Sequence, residues 1–297
     1  MFDRRQAIAA FALAFVATAN PAFAEGKLNV VATTSILADF VKNVGGDRVA
    51  VASLVGPNGD AHVYAPTPTD AKTVADAKVV FTNGLGLEGW MTRLVKASGT
   101  RAPMTVATKG VTPLKMEEDG KTVTDPHAWQ SVANAKIYVA NIRDGLIAAD
   151  PAGQGAYEAN AKDYLGRLDA LEKDVKDTIA KIPADHRKII TTHDAFGYFG
   201  AAYGMQFIAP QGVSTEAGIS AKDVASIVRQ IRKQKIPAVF LENVSDSRLM
   251  DRIAKESGAK IGGTLYSDAL SEATGPAATY IDMMRNNIRE FSAALTS

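Results

Sequence analysis

The first half of the chain alternates between the two apolar periods that mark strands and amphipathic helices. Short runs rich in β-branched residues predict strands at 28–32, 49–55, 79–82 and 104–107. Apolar residues spaced three and four apart predict helices at 36–44, 68–75, 90–97 and 131–148. Strands that alternate with helices in this way are typical of βαβ units and a mainly parallel sheet.

A longer helical pattern occupies the middle of the chain. Segment 156–182 contains no Pro and a single Gly, Gly166. Its apolar residues recur every three or four positions: Tyr157, Ala161, Leu165, Leu168, Leu171, Val175, Ile179 and Ile182. A helix of this length would span about 40 Å at roughly 1.5 Å per residue, enough to run along a two-lobed protein. A coiled-coil dimerisation helix is the alternative, and we disfavour it because one such helix inside an α/β chain more often packs on its own domains.

After Pro183 the alternation resumes. Strands are predicted at 188–192, 206–209, 238–241 and 260–262, and helices at 195–203, 221–234, 246–257 and 277–295. The prediction is an α/β fold of two similar lobes with mainly parallel sheets, joined by a single long bridging helix. The N-terminal lobe is predicted at 25–150, the bridging helix at 151–184 and the C-terminal lobe at 185–297. Segment 115–124 is polar and charged and is predicted to be a loop.

The N-terminal residues 1–24 have the pattern of a cleavable signal peptide. Arg4 and Arg5 precede an apolar run at 7–19, and Ala-Phe-Ala at 22–24 fits a cleavage site, so the mature chain is predicted to begin at Glu25. A membrane anchor is the alternative, but the run is short and weakly apolar for a bilayer span. Export by the Sec route is favoured over Tat, because the residues after Arg5 fit the twin-arginine pattern poorly.

The chain contains no cysteine, which limits both its covalent chemistry and its attachment. A secreted protein without cysteine has no disulfides and no site for a lipid anchor, so we expect a soluble periplasmic protein that is not lipid-anchored. The formal net charge is +1, and residues 1–24 account for that excess, so the mature chain is nearly neutral. Nucleic acids and anionic membranes are therefore poor candidates for partners.

Histidine is scarce, with four in the whole chain, and three of them lie at predicted strand ends or in adjoining loops. These three are His62, His127 and His193, and Asp268 occupies a similar place late in the chain. Ligands of parallel α/β sheets bind outside the carboxyl ends of the strands, so the four side chains can converge between the lobes. Three neutral imidazoles and a carboxylate would complete a tetrahedral site for a divalent transition metal. The fourth histidine, His186, precedes a strand and is predicted to be solvated.

Several segments resemble the metal-binding solute-binding proteins of ABC transporters that take up zinc and manganese. Residues 60–70, Asp-Ala-His-Val-Tyr-Ala-Pro-Thr-Pro-Thr-Asp, are similar to the family motif Asp-Pro-His-x-Tyr-x-Pro-x-Pro-x-Asp. The similarity continues, in order along the chain, at 83–88, 125–129, 193–199 and 268–271. The resemblance implies two lobes bridged by a long, rather rigid helix. By motif position it also implies the ligands His62, His127, His193 and Asp268.

The resemblance also bears on the choice of metal. The position of His193 is Glu in the manganese-type relatives and His in the zinc-type relatives, and imidazole suits Zn²⁺ whereas Mn²⁺ prefers oxygen-rich sites. Segment 115–124 lacks the His-rich acidic loop of many zinc-type relatives. We predict a high-affinity Zn²⁺ carrier of the zinc type, with a manganese or dual zinc–manganese protein as the alternative. Its expected partners are an ABC transporter permease and a periplasmic metallochaperone, and the protein is expected to be a monomer.

Carboxylates near the predicted ligands are candidates for hydrogen bonds to the ligating imidazoles. A ligating histidine usually donates its other ring N–H to a carboxylate or carbonyl. Asp60, Asp194 and Glu242 lie close enough in sequence or at a predicted strand end to do so.

A secreted zinc hydrolase is the main alternative from another functional class, because three histidines with an open fourth position are typical of catalytic zinc. Glu242 would be its nearby base. The sequence has no His-Glu-x-x-His motif, and Asp268 supplies a fourth ligand that leaves no position for a reactive water. A surface adhesin is disfavoured because no cysteine is available for a lipid anchor. We therefore predict a solute-binding protein and not an enzyme.

Overall fold

The computed structural model describes residues 26–118, 121–215 and 219–296. The predicted signal peptide, 1–24, lies outside the described residues. No helix in the described part of the chain has both the length and the apolar character needed to cross a membrane.

The first half contains a parallel four-stranded sheet with helices packed around it. Its strands are β1 (Leu28–Thr34), β2 (Val49–Val55), β3 (Val79–Thr82) and β4 (Met104–Val106), in the order β2-β1-β3-β4. Its helices are α1 (Ser35–Gly45), α2 (Pro68–Ala75), α3 (Met91–Ser98) and α4 (Val132–Ala149). Thr34, Thr67 and Ser131 cap α1, α2 and α4 by accepting a backbone N–H from the first turn.

Segment 115–124, predicted to be a loop, is instead an antiparallel hairpin. Strand β5 (Lys115–Glu118) pairs with β6 (Lys121–Thr124), and Met116 lies opposite Val123. These strands are short and rich in charged residues, so their alternation is too brief to stand out from a polar loop. The Asp125 backbone N–H donates to the Leu114 carbonyl (3.1 Å), which extends the pairing to the residues just before His127.

The long central helix is α5 (Gln154–Ala180), 27 residues in length, close to the predicted 156–182. One face is buried at Tyr157, Ala161, Tyr164, Leu168, Leu171, Val175 and Ile179. This face packs on α1 and α4 of the first half and on the last helix of the second half, α9, whose bounds are given below. The helix therefore packs on the protein's own elements, as predicted.

The second half repeats the strand order of the first. Its strands are β7 (Lys188–Ile190), β8 (Gln206–Ile208), β9 (Ala238–Glu242) and β10 (Lys260–Leu265), in the order β10-β9-β7-β8 and all parallel. Its helices are α6 (Gly197–Tyr203), α7 (Ala221–Gln234), α8 (Arg248–Ser257) and α9 (Tyr280–Leu295). Numbered within each half, both sheets have the order 2-1-3-4. The predicted α/β fold of two similar, mainly parallel lobes with a long connecting helix is confirmed.

One apolar core extends from the first half through α5 into the second half. The Phe40 ring lies 5.8, 6.2 and 4.7 Å from those of Tyr138, Tyr164 and Tyr280, each in an edge-to-face arrangement. Next to Phe40, the buried Asp39 carboxylate accepts the Tyr280 backbone N–H (3.0 Å) and the Tyr164 hydroxyl (3.3 Å). These contacts connect α1, α5 and α9 and so join the two halves. A smaller apolar cluster lies under α7 and α8.

Candidate metal centre

The structure brings His62, His127, His193 and Asp268 together between the two sheets. Each offers a ligand atom, and these atoms all lie within 4.8 Å of one another. His62 Nε2 lies 3.1 Å from His127 Nε2 and 3.3 Å from Asp268 Oδ2. Asp268 also lies 3.5 Å from His127 Nε2 and 3.1 Å from His193 Nε2. Three imidazole nitrogens therefore surround one carboxylate.

His62 lies in the loop after β2 and is held through its main chain. Its backbone N–H donates to Asp60 Oδ1 (2.8 Å), and the preceding carbonyl, of Ala61, accepts the indole N–H of Trp90 (2.9 Å). The other oxygen of Asp60 accepts the Thr215 hydroxyl (2.5 Å) from the second half. The His62 side chain is 6% exposed, whereas those of the other three residues are fully buried. His62 thus lies on the solvent side of the cluster.

His127 follows the β5–β6 hairpin and is fixed by the residue two positions before it. Asp125 Oδ1 accepts both the His127 backbone N–H (2.9 Å) and a hydrogen bond from ring Nδ1 (2.8 Å). A proton on Nδ1 leaves the Nε2 lone pair directed at the cluster. Asp125 is not among the carboxylates predicted from the sequence, although its Asp-x-His spacing is that of Asp60 and His62.

His193 follows β7 and is fixed by Glu242, the last residue of the neighbouring strand β9. Glu242 Oε1 accepts the backbone N–H groups of Thr192 (2.6 Å) and His193 (3.0 Å). Its Oε2 accepts from His193 Nδ1 at 2.5 Å, so this ring also directs Nε2 at the cluster. Because these two backbone N–H groups turn toward the carboxylate, β7 ends at Ile190 and not at the predicted residue 192.

Asp268 lies in the loop after β10 and is held by contacts with both halves. The Ser267 carbonyl accepts the Trp129 indole N–H (2.8 Å) and the Gln130 side-chain amide (2.7 Å). On the other side, the Leu270 backbone N–H donates to the Ser35 hydroxyl (3.0 Å). Neither carboxylate oxygen of Asp268 has a hydrogen-bond partner among the described residues. The ring nitrogens of the three histidines lie 3.1–3.5 Å from this carboxylate.

The electrostatics of the cluster favour a positive charge at its centre. Burial alone would lower the pKa of His193, but the carboxylates of Glu242 and Asp268 outweigh it and raise that pKa well above its ordinary value. Burial alone would raise the pKa of Asp268, but His193 and His127 hold it well below its ordinary value. His193 Nε2 lies 3.1 Å from Asp268 Oδ2. A metal cation at this point would take over the charge that a proton on His193 otherwise supplies.

Asp60 and Asp194 were predicted to bond the ligating imidazoles, but their observed hydrogen bonds are to other groups. Asp60 accepts the backbone N–H of His62 and the side-chain hydroxyl of Thr215. The half-buried Asp194 donates its backbone N–H to the Gly212 carbonyl (3.0 Å). Among the described residues, the carboxylates that accept from Nδ1 of a cluster imidazole are instead Asp125, at His127, and Glu242, at His193. His186 lies in a short helical turn away from the cluster, where its Nδ1 is 2.8 Å from the Leu295 carbonyl. It is half-buried, so the prediction that it is solvated was only partly right.

Comparison with known proteins gives matches over most of the chain. Residues 30–294 match the family described as zinc-uptake complex component A, periplasmic. The chain is 34% identical over 276 residues to the iron-binding protein YfeA of Yersinia pestis, covering 93% of this chain and 88% of that protein. It is also 34% identical over 278 residues to the manganese ABC transporter substrate-binding lipoprotein PsaA of Streptococcus anginosus, covering 91% and 90%.

A similar solved structure is the periplasmic zinc-binding protein TroA from Treponema pallidum. It superposes with a TM-score of 0.87 at 31% identity, covering 92% of this chain and all of the other. Because the family model and the relatives each span about nine tenths of the chain, the chain belongs to the zinc-uptake complex component A family of metal-binding substrate-binding proteins of ABC transporters.

Proposed function

We propose that this protein binds Zn²⁺ in the periplasm and delivers it to the permease of an ABC transporter. The observation that carries the proposal is the donor set of three buried or nearly buried imidazoles and one carboxylate, gathered within 4.8 Å. Imidazole nitrogen is a preferred donor for Zn²⁺, and four protein ligands match its tetrahedral preference. The metal is the cargo of this protein and not a catalytic cofactor.

The assignment of His62, His127, His193 and Asp268 as the ligands is part of this proposal. It is supported by the direction of the ring nitrogens, since Asp125 and Glu242 hold the Nδ1 atoms of two of the imidazoles. A closed set of four donors holds a metal tightly and leaves no coordinated water to activate. The family consists of solute-binding components, so the chain is not an enzyme, and the hydrolase hypothesis is set aside.

Metal titration of single variants tests the ligand assignment. His193→Ala and Asp268→Ala are expected to lose most of their zinc affinity, measured by competition with a chromophoric chelator. His186→Ala is the matched control, because it removes the histidine that lies outside the cluster. Unchanged zinc affinity in both His193→Ala and Asp268→Ala would contradict the ligand assignment.

A manganese or iron carrier is the second candidate, and the names of two relatives favour it. These relatives, 34% identical to this chain, are named for iron and for manganese. Imidazole also suits iron, while carboxylate oxygen suits Mn²⁺. The discriminating measurement is competition between zinc, manganese(II) and iron(II) for the metal-free protein, followed by elemental analysis. Preferential retention of manganese or iron over equimolar zinc would overturn the zinc assignment.

The proposal includes a periplasmic location and a membrane permease as the partner. The lack of cysteine supports a protein released into the periplasm without a lipid anchor, unlike the relative named as a lipoprotein. The ABC transporter family membership supports a membrane permease as the partner. A monomeric state and a metallochaperone partner stay predictions from the sequence.

A further inference from the structure

The peptide group that joins Ser267 to Asp268 is held from the opposite half of the molecule. Its carbonyl oxygen accepts two side-chain donors, Trp129 Nε1 at 2.8 Å and Gln130 Nε2 at 2.7 Å. Both donors belong to the short helical turn Ala128–Gln130, directly after His127. Gln130 and Ser267 are fully buried and Trp129 is nearly so. One buried turn therefore contacts the segment that carries Asp268.

The preceding peptide is anchored within the second half. The Tyr266 backbone N–H donates to Asn287 Oδ1 (2.9 Å), and Asn287 Nδ2 donates to the Tyr266 carbonyl (2.8 Å). Asn287 lies on α9. Two successive carbonyls therefore accept hydrogen bonds from different halves. The Tyr266 carbonyl accepts from α9, and the Ser267 carbonyl accepts from the turn after His127. Asp268 is the first residue after this change.

The two donors at Ser267 restrict the direction of the Asp268 side chain. A peptide group is planar, so the Ser267 carbonyl and the Asp268 nitrogen and Cα lie in one plane. Two fixed donors on the carbonyl limit rotation of that plane, and with it the point from which the Asp268 side chain leaves the backbone. The same turn begins directly after His127, whose Nε2 lies 3.5 Å from Asp268 Oδ1. The turn can therefore fix both ligands relative to each other.

We propose that Gln130 is a positioning residue for metal binding, acting through the Ser267 carbonyl to hold Asp268 at its distance from His127. This rests on the ligand set proposed above. The energetics of Gln130 support a role beyond folding, because its Oε1 is buried without a partner among the described residues. Buried polar groups are normally hydrogen-bonded, and an unpaired one is unfavourable. An apolar residue of similar length would remove that unpaired oxygen, so the fold alone does not require glutamine here.

The test compares Gln130→Met with Gln154→Met in zinc binding and in metal-free stability. Methionine has a similar length and no N–H, and Gln154 is an exposed glutamine bonded to Glu158, which makes it a matched control. Gln130→Met is expected to bind zinc about tenfold more weakly, which is the lower limit of the loss usually seen when a residue that supports a metal ligand is replaced. Its metal-free thermal midpoint is expected to stay near that of the wild type. A loss of metal-free stability with unchanged zinc affinity would overturn the proposal.

A double-mutant cycle separates positioning from general packing. If Gln130 acts through Asp268, Gln130→Met has no further effect on zinc affinity in the Asp268→Ala background. The same loss in both backgrounds would overturn the proposal. Trp129→Phe removes the other donor to the Ser267 carbonyl and gives a second route if Gln130→Met fails to fold, with a loss in the same direction expected.

The zinc affinity of Asp268→Ala separates an error in the ligand assignment from an error in the role of Gln130. If Asp268→Ala binds zinc as tightly as the wild type, the ligand assignment itself is wrong. If Asp268→Ala is impaired but Gln130→Met and Trp129→Phe are not, the ligand stands and only the positioning role is rejected.

Discussion

Each half of the molecule buries one histidine against a carboxylate, and the two pairs are built differently. In the first half, one oxygen of Asp125 accepts both the backbone N–H and the ring Nδ1 of His127, two residues further on. In the second half, Glu242 lies on the neighbouring strand and uses both oxygens, one for two backbone N–H groups and one for His193 Nδ1. The first pair is a local motif, and the second is a contact that exists only in the folded sheet.

The same Asp-x-His motif occurs twice in the first half, but its two aspartates accept different hydrogen bonds. Asp60 and Asp125 share the Asp-x-His spacing, and each accepts the backbone N–H of its histidine, at 2.8 and 2.9 Å. The second oxygen of Asp60, however, accepts the Thr215 hydroxyl from the second half, whereas Asp125 also accepts from the ring of His127. The local spacing fixes the loop, and the surroundings decide whether the carboxylate also fixes the imidazole.

Among changes that leave the four proposed ligands in place, the largest effect is expected for Glu242→Gln. The amide can accept with one atom only, so it cannot serve both the backbone N–H groups and His193 Nδ1 in the way the carboxylate does. Zinc affinity is expected to fall by up to about a hundredfold, which is the largest loss usually seen when a hydrogen-bond partner of a metal ligand is replaced. The free energy of unfolding of the metal-free protein is expected to fall as well, by about 1–3 kcal/mol for a buried donor left unpaired.

Chelator competition and denaturant unfolding of Glu242→Gln measure these two losses. Glu272→Gln is the matched control, because Glu272 is an exposed residue outside the cluster. Wild-type zinc affinity in Glu242→Gln would show that the long-range pair has no role in orienting His193.

A pH effect of about tenfold per unit is expected next. The carboxylates of Glu242 and Asp268 raise the pKa of His193 well above its ordinary value, which favours the protonated imidazole in the metal-free protein. That charge stabilises the metal-free fold below the unfolded-state pKa, and the stabilisation is lost as pH rises through the folded-state pKa. A metal at Nε2 must displace this proton, so below the raised pKa the apparent zinc affinity falls by about one order of magnitude per pH unit.

Calorimetry in buffers of different ionisation enthalpy measures the proton release directly. The wild type is expected to release about one proton per zinc near neutral pH, on the assumption that His193 is the protonated ligand. The metal-induced rise in thermal midpoint should grow between about pH 6 and 8. A buffer-independent binding enthalpy would mean that His193 is already neutral in the metal-free protein.

Asp125→Asn is expected to have a smaller effect than Glu242→Gln. The Asn side-chain oxygen can still accept both hydrogen bonds that Asp125 Oδ1 accepts, so the geometry at His127 is preserved. The loss of the negative charge is expected to weaken zinc binding by less than about tenfold. The same chelator competition measures it, with Asp144→Asn on the surface of α4 as the control. A loss equal to that of Glu242→Gln would remove the distinction between the two pairs.

Sequence patterns located most of the fold because periodicity and caps act locally. The bounds of α7, Ala221–Gln234, with Ser220 as its cap, and those of α2, Pro68–Ala75, are as predicted. Strand β10 was predicted to end at residue 262, but it continues to Leu265 through an irregular register at Gly262 and Gly263. Gly263 has φ +113, a conformation that glycine adopts readily, and such a break cannot be told from a strand end in the sequence.

The candidate site was predictable where a scarce residue type marked it. Scarcity and strand-end position identified the three histidines, and position near a strand end identified Asp268 and Glu242. The Asp-x-His spacing of Asp125 and His127, shared with Asp60 and His62, was the signal in the sequence for Asp125. The contacts of Gln130 and Trp129 with Ser267 join positions 137 and 138 residues apart, and neither side chain carries a local sign of that pairing.

The smallest expected effect is the change in overall shape on metal binding. Helix α5 packs on α1 and α4 in the first half and on α9 in the second, and Asp39 bonds residues of both α5 and α9. Because the halves share one apolar core, bending between them would have to disrupt buried contacts. The radius of gyration from small-angle scattering is therefore expected to be nearly the same with and without zinc. A marked decrease on zinc addition would show that the halves move as separate bodies, so that His193 and Asp268 approach His62 and His127 only when metal is bound.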